Sequence, residues 1–363
     1  MDQDLTIERD GASGLYPWRP RQVGKVCLEE ELFHRAVLTH PLHISDLVLS
    51  PTMTESALDT SVVIPCHTER RWTELCRAIR SALAQSAPPH TVIVAVDGNV
   101  ALYERLLSWS TDIQVILNTT RPGASTTRNA GASMAETPII AFLDDDASAR
   151  PEWLTNLLAP FHEPEVVGTG GFVAPRWRVP RPEWFPDEFA WVVGASFSGL
   201  PTTRSTVRNV WSENMAVRRS VFDQVGGFRV AFTKVGNVSR PDDTDLCVRM
   251  GKAAPDAKWV YVPDAVVDHD VGAERARFSF FLRRCFAEGR GKVEMARWNG
   301  STSTLVDEAN YLRHTLPRGF ARHARRGVST RNLGEVSRAA AIVAGVAAAG
   351  CGAAVATAHR DRS

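Results

Sequence analysis

The chain has 363 residues, 44% of them hydrophobic and 23% charged, enough for one large α/β domain or two modest ones. That balance excludes peptide scaffolds, mostly disordered chains and many-spanning membrane proteins. Lys+Arg 42 against Asp+Glu 41 leaves a net +1, so no overall field draws the chain onto nucleic acid and charge has to be read locally. The six cysteines show no C-x-x-C pair or finger spacing, which points to a reducing compartment. The opening MDQDLTIERD lacks the basic start and apolar stretch of a secretory signal.

Residues 1–58 carry short apolar stretches without a long period and read as an N-terminal extension. From Ser61 the texture changes: SVVIP is a β-branched run, CHTER a polar loop, and WTELCRAIRSALAQS has apolar residues at helical spacing. TVIVAVDGN, DIQVILN and TPIIAFLDDD repeat the apolar run, and GASTTRNAGASMA reads as a helix opened by a glycine loop. Beyond Pro151 the pattern loosens through a Trp/Pro-rich stretch from Trp177 to Trp191. NMAVRRSVFDQVGGF then reads as strand and helix, DTDLCVRMGKAA as helix and WVYVPDAVVDHDV as strand. Strands alternating with helices predict an α/β fold with a doubly wound, mostly parallel sheet. Ligands of such sheets bind beyond the carboxyl ends of the strands, which places Pro65 to Glu69, Asp97 and Asp144 to Asp146 on one crevice.

Three adjacent carboxylates closing an apolar strand, Asp144, Asp145 and Asp146, repel one another unless a cation sits among them. A hard divalent ion, Mg²⁺ or Mn²⁺, that completes its shell with substrate phosphates satisfies them. The alternative is a solvated turn whose aspartates cap the helix near Pro151. Asp97, the Gly123 to Gly131 helix start with Arg128, and the later cluster Asp242-Asp243-Thr244-Asp245 accompany the triplet in order.

Together VVIPCHTE, VAVDGN, GASTTRNAG, FLDDD, NMAVRRSVFDQVGGF, RPDDTDLCVR and VVDHD resemble, in order, the motifs of family-two glycosyltransferases of the GT-A fold, over about Ser61 to Lys292. The resemblance implies a Rossmann-like nucleotide-sugar half (59–150) and an acceptor half (151–300). It implies that Pro65, Cys66, His67, Glu69 and Asp97 lie against the nucleoside, and that Arg128, Asp144 and Asp145 face the donor. Asp146 would hold the metal, with His269 as a further ligand. Asp243 falls on the general-base position, and Asn214, Asp242 and Asp245 would lie on the acceptor side. Asp242 stands where glutamate is usual, and a helix N-cap is the competing reading for Asp242 or Asp243. Glu294-x-x-Arg297-Trp298 lacks the glutamine of processive relatives, so a single transfer is expected.

From Arg313 to Arg331 stand six arginines and two histidines without an acid, within a basic region spanning 301–338. Ala339 to Ala358 follows, uncharged, with eleven alanines among its twenty residues. Its length suits a bilayer span, but four β-branched aliphatics make insertion marginal. Basic residues before a weakly apolar helix fit an anionic cytoplasmic membrane face, and packing on the domain is the alternative. The expected function is inverting, metal-dependent transfer from a nucleotide-diphosphate sugar, a UDP-sugar foremost, to a glycan or lipid-linked acceptor in envelope or surface glycan synthesis. The expected location is the inner face of the cell membrane. The competing readings are a nucleotidyltransferase, which would attack at phosphorus, and a degenerate sugar-nucleotide-binding scaffold.

Overall fold

The computed structural model describes residues 59–232, 241–298 and 306–358; the extension 1–58 lies outside the described residues. The first half is built of strand and helix in alternation: β1 (Thr60–Cys66), α1 (Trp72–Leu83), β2 (Thr91–Asp97), α2 (Val100–Trp109), β3 (Gln114–Asn118), α3 (Ala124–Ser133) and β4 (Ile139–Leu143). These four strands pair in parallel in the order β3-β2-β1-β4. β1, β2 and β4 are buried almost end to end, as their unbroken apolar runs require of a sheet covered on both faces.

The second half is mixed. β5 (Ala147–Ala149), α4 (Trp153–Leu158), β6 (Val166–Trp177), β7 (Ser205–Val207), β8 (Asn214–Arg218), α5 (Arg219–Gln224), α6 (Asp242–Met250) and β9 (Lys258–Val271) extend the sheet through β8, β6 and β9 to β5. β8 runs antiparallel to both β4 and β6, while β6 and β9 are parallel to each other. β6 escapes the alternation rule because its GTGG core is small: Gly168 lies under the Trp259 ring and Gly170 under Val210, where a Cβ would collide. The chain closes with α7 (Phe278–Trp298), α8 (Val306–Asn310), a π-turn at Tyr311–Thr315, α9 (Leu316–Thr330) and α10 (Leu333–Ala358).

One apolar cluster fills each face of the sheet, and a third, around Phe185, Phe189, Phe281 and Ile342, joins α7 and α10 to the segment before β7. α10 lies close on α7: Gly289 abuts the Ala349 carbonyl and Gly352 the Phe286 carbonyl, leaving no room for a side chain at either. At the base of α10, buried Glu188 meets Arg322 and His323, and His323 in turn meets Glu335. The alanine-rich helix is therefore packed on the domain along Ala341, Ile342, Gly345 and Gly352, and its opposite side, including Val343 and Val355, is exposed.

Candidate active site

A cavity of about 1640 Å³ opens at the carboxyl ends of the parallel strands. It exceeds the roughly 300–1,000 Å³ of a typical small-molecule pocket, so a nucleotide sugar and an acceptor fit together. Pro65, Cys66 and His67 after β1, Asp97 after β2, Arg128 on α3, Asp144 to Asp146 after β4, Asp242 and Asp243 at the start of α6, and His269 on β9 all line it.

Asp97 serves its own chain first. Its carboxylate accepts from the Gly123 amide at 2.9 Å and from Asn118 Nδ2 at 3.1 Å, which fixes the loop that opens α3. Gly123 sits at φ 139°, a conformation reserved for glycine, so the amide can face the carboxylate while the chain turns into the helix. Cys66 is buried, and that burial pushes its thiol pKa well up, so it is an inert wall of the cavity.

The acidic turn after β4 caps no helix. Asp144 accepts from Arg128 Nη2 at 2.7 Å, and the same guanidinium reaches Asp242 at 3.7 Å, tying the donor-side turn to the start of α6. Asp145 pairs with Arg71 at 2.9 Å. Asp146 pairs with Arg71 at 3.0 Å and Arg275 at 3.6 Å, and its Oδ1 lies 3.3 Å from His269 Nε2. Burial alone would raise Asp146, but the His269 hydrogen bond and the surrounding cations hold it well below the usual carboxylate range. Asp145, buried beside Asp146 with one cation, is pushed up to about 7. The cations that relieve this triplet are thus largely side chains of the chain itself.

Asp146 and His269 are the pair that would ligate a divalent cation, although Arg71 and Arg275 also approach Asp146, and Arg275 Nη1 lies 3.2 Å from His269 Nε2. Asp146 and His269 are both buried and offer an oxygen and a nitrogen 3.3 Å apart, the separation of adjacent ligands around an ion roughly 2.0–2.3 Å from each. Asp145 Oδ2 is a buried acceptor without a hydrogen-bond partner nearby. Among the described residues no three His, Cys, Asp or Glu side chains form a complete metal site. An ion here would take its remaining ligands from substrate and water.

At the start of α6, as at Asp145, burial dominates. Asp242, buried, accepts from Ser125 Oγ at 2.8 Å. Asp243 accepts from the Thr244 amide at 2.6 Å, and burial, then the charge of Asp242, pushes it up to about 6. Pro241 occupies the N-cap of α6 and neither aspartate bonds as a cap. Glu213, on the cavity wall just before β8, is pushed by burial up to about 7.

Three expected site residues stand elsewhere. Asn214 is buried behind the wall, where its amide donates to the Phe172 and Ala265 carbonyls at 3.0 and 2.9 Å and its oxygen accepts from Trp153 Nε1 at 2.7 Å. It mends the backbone where the β6 and β9 registers slip. Asp245, fully buried, pairs with Arg249 one helical turn on at 2.8 Å and with Arg229 at 3.2 Å, locking α6 to the loop after α5. Glu69 is exposed and lies 3.9 Å from Arg105. In their place the cavity takes Arg71, Arg275, Glu213 and, from the C-terminal helices, Arg284, Glu288 and Lys292. None of these belongs to a motif, and only the fold brings them together.

This parallel half-sheet with an acidic turn at its carboxyl edge is a GT-A fold. The model of glycosyl transferase family 2 matches residues 61–226, and the chain is a glycosyltransferase. It is 28% identical over 300 residues to the glucosyl-dolichyl phosphate glucuronosyltransferase of Haloferax volcanii, covering 81% of this chain and 95% of the relative. It is 28% identical over 268 residues to the pre-mycofactocin glycosyltransferase of Mycobacterium tuberculosis, covering 70% of this chain and 52% of that protein. The mannosyltransferase PcManGT of Pyrobaculum calidifontis, solved with GDP-Man and Mn²⁺, superposes with a TM-score of 0.50 at 16% identity, over 81% of this chain and 89% of its own. That likeness is one of fold.

Proposed function

We propose that the chain transfers a sugar from a nucleotide-diphosphate sugar to a hydroxyl of a lipid-linked glycan acceptor, with inversion at the anomeric carbon. The observation that carries this reading is Asp243: a cavity-facing carboxylate whose proton affinity is raised, beside an acidic turn whose charges are already paired. A general base must take a proton near neutral pH and lie within reach of the acceptor hydroxyl, and desolvation of Asp243 supplies the first condition. In this reading Asp97 and the loop Pro65 to His67 seat the nucleoside, and Arg128 and Asp144 orient the donor sugar. Asp146 and His269 hold a divalent cation, Mn²⁺ or Mg²⁺, which when bound neutralises charge on the departing diphosphate. Asp243 accepts the hydroxyl proton as the hydroxyl attacks opposite the leaving group, and a single displacement inverts the centre.

The name of the Haloferax relative supports a lipid-phosphate-linked acceptor, and α10 supports a membrane setting. α10 is long and apolar enough to cross a bilayer, yet one side is packed on the domain, so we place it along the cytoplasmic membrane surface. The exposed Arg318, Arg325 and Arg326 of α9 would meet anionic headgroups there, each worth about 1 kcal/mol.

The test is turnover of UDP- and GDP-sugars by the full-length chain with Mn²⁺ and with chelator, reading the released nucleotide and the anomeric configuration of the product. Nucleoside diphosphate release that chelation stops, with an inverted product, is the expected result. Release of pyrophosphate would make it a nucleotidyltransferase, and no turnover with any donor would leave a binding scaffold.

A further inference from the structure

The carboxylates that line the cavity are, with a single exception among the described residues, already engaged. Those of the acidic turn pair with Arg71 and Arg128, and Asp97 and Asp242 accept hydrogen bonds at 2.9 and 2.8 Å. Asp243 accepts from the Thr244 amide, and Glu288 and Glu308 share Lys292. The exception is Glu213, which lines the same cavity, half-buried, and makes no hydrogen bond or ion pair to any described residue. An ionised carboxylate can only accept, and burying one without a donor is unfavourable unless a ligand brings the donor.

The register of the sheet places this side chain. The β4–β8 ladder ends with Leu143 opposite Asn214, so one step outward brings the backbone of Glu213 beside Asp144. Successive side chains on a strand turn to opposite faces. Asn214 turns behind the wall onto the Phe172 and Ala265 carbonyls, so Glu213 and Met215 turn to the other face, where α3 and α6 pack. There the Glu213 carboxylate feels the charges of His269, Asp144, Asp243 and Asp146. It is within electrostatic range of the pair that would hold the cation and of the base at once. In a transfer the sugar ring is bonded to the diphosphate on one side and meets the acceptor hydroxyl on the other, so it lies between those same groups. Glu213 flanks that space. A metal-ligand role does not fit, because among the described residues Glu213 joins no group of three His, Cys, Asp or Glu side chains that could hold an ion. Sugar hydroxyls, which donate, do fit.

Resting on the sugar transfer proposed above, we infer that Glu213 accepts hydrogen bonds from hydroxyls of the transferred sugar and thereby selects a neutral hexose over a uronic acid. A carboxylate on the ring would instead meet the charge of Glu213 at close range, where like charges oppose binding.

The experiment is calorimetric titration of the full-length chain with UDP and GDP, and with UDP-glucose, UDP-galactose, GDP-mannose and UDP-glucuronate. It is run in Mg²⁺ at pH 8, above the value of about 7 to which burial raises Glu213. At least one neutral sugar should bind about tenfold more tightly than its own nucleoside diphosphate, and UDP-glucuronate should gain nothing over UDP. Glu213→Ala should remove that gain, about tenfold or more for a hydrogen bond to a charged acceptor, and leave UDP and GDP within about twofold of wild type. Glu213→Gln keeps the shape and one acceptor, so it should lose less of the gain and bind UDP-glucuronate about tenfold more tightly than wild type does. Both variants should melt no lower than wild type, because the carboxylate they remove holds no described residue. The inference is overturned if no neutral sugar adds to its nucleoside diphosphate, or if the gain is the same in wild type and Glu213→Ala. A loss that falls equally on UDP and GDP would make Glu213 a support of the nucleotide site and no reader of the sugar. UDP-glucuronate binding wild type as tightly as UDP-glucose would overturn the selection against uronic acids. Failure of both UDP and GDP to bind would sink the functional reading itself, whereas their binding with an unchanged sugar gain sinks only the role of Glu213.

Discussion

Two acidic clusters face the cavity, and Asp146 in one and Asp243 in the other are driven in opposite directions. In the turn after β4 each aspartate has a cation within hydrogen-bonding distance, and Asp146 is held firmly ionised. At the start of α6 one arginine lies 3.7 Å from Asp242, Asp243 feels only the charge of Lys292 without an ion pair, and Asp243 and nearby Glu213 are pushed up towards neutrality by burial. A fixed negative charge suits the holding of a cation or a polarised donor, whereas a carboxylate poised to protonate suits a base. Neighbouring groups, rather than residue type, separate the two roles.

The comparison breaks most decisively at Asp243. Asp243→Asn keeps shape and hydrogen-bonding capacity and removes the base, so kcat should fall by about 10² to 10⁴-fold while nucleotide affinity stays within a few-fold. Steady-state kinetics beside calorimetric titration of the nucleoside diphosphate check this; equal losses in both would make Asp243 structural. At the other cluster the loss should fall on binding instead. Asp146→Ala should reduce Mn²⁺-dependent affinity for the donor nucleotide by about 10 to 100-fold, the usual scale for disturbing a metal site, and leave metal-free affinity nearly unchanged. Donor affinity in Mn²⁺ equal to wild type would remove Asp146 from any metal role.

Arg128 reaches both clusters. Arg128→Met fills much the same volume but strands Asp144 and Asp242, and removing one partner of a buried pair costs about 3–5 kcal/mol. The denaturant midpoint should drop accordingly, and Asp242→Asn in the same background should recover part of the loss. An unchanged midpoint would show that solvent, not Arg128, compensates those charges.

The legibility of these features in sequence followed their locality. Strands β1, β2 and β4 announced themselves as apolar runs, and Asp97 and the aspartate triplet were visible because each closes such a run. Asn214 and Asp245 carried the same signal, polar residues in a motif, but their partners are backbone carbonyls at a register slip and an arginine four residues on. No local pattern distinguishes a side chain turned into the cavity from one turned behind its wall. Arg71, Arg275 and Lys292 give no signal for the complementary reason: each is ordinary in sequence and reaches the cavity only when distant segments enclose it. β6 was missed because its glycines serve packing against Trp259 and Val210 and so dilute the apolar run.

The smallest expected effect is also the one that isolates the electrostatics from the chemistry. Asp243 is raised from an unfolded-state value near 3.8 to about 6 in the folded chain, so the folded state prefers it protonated. Its ionised form therefore costs stability: nothing below about pH 4, an increasing amount between about 4 and 6, and a constant amount above that. A shift of this size corresponds to at most about 3 kcal/mol. Asp243→Asn carries no ionisable group, so it should melt a few degrees above wild type at pH 7.5, with the gap closing as pH is lowered towards 4.5. Catalysis and stability would then be opposed at one carboxylate, the variant being more stable and nearly inactive. The wild-type kcat/KM should rise with pH through the same region, because only ionised Asp243 can accept the proton. If the two proteins melt together at pH 7.5, the carboxylate is solvated in the free enzyme, and the contrast between the two clusters is lost on the acceptor side.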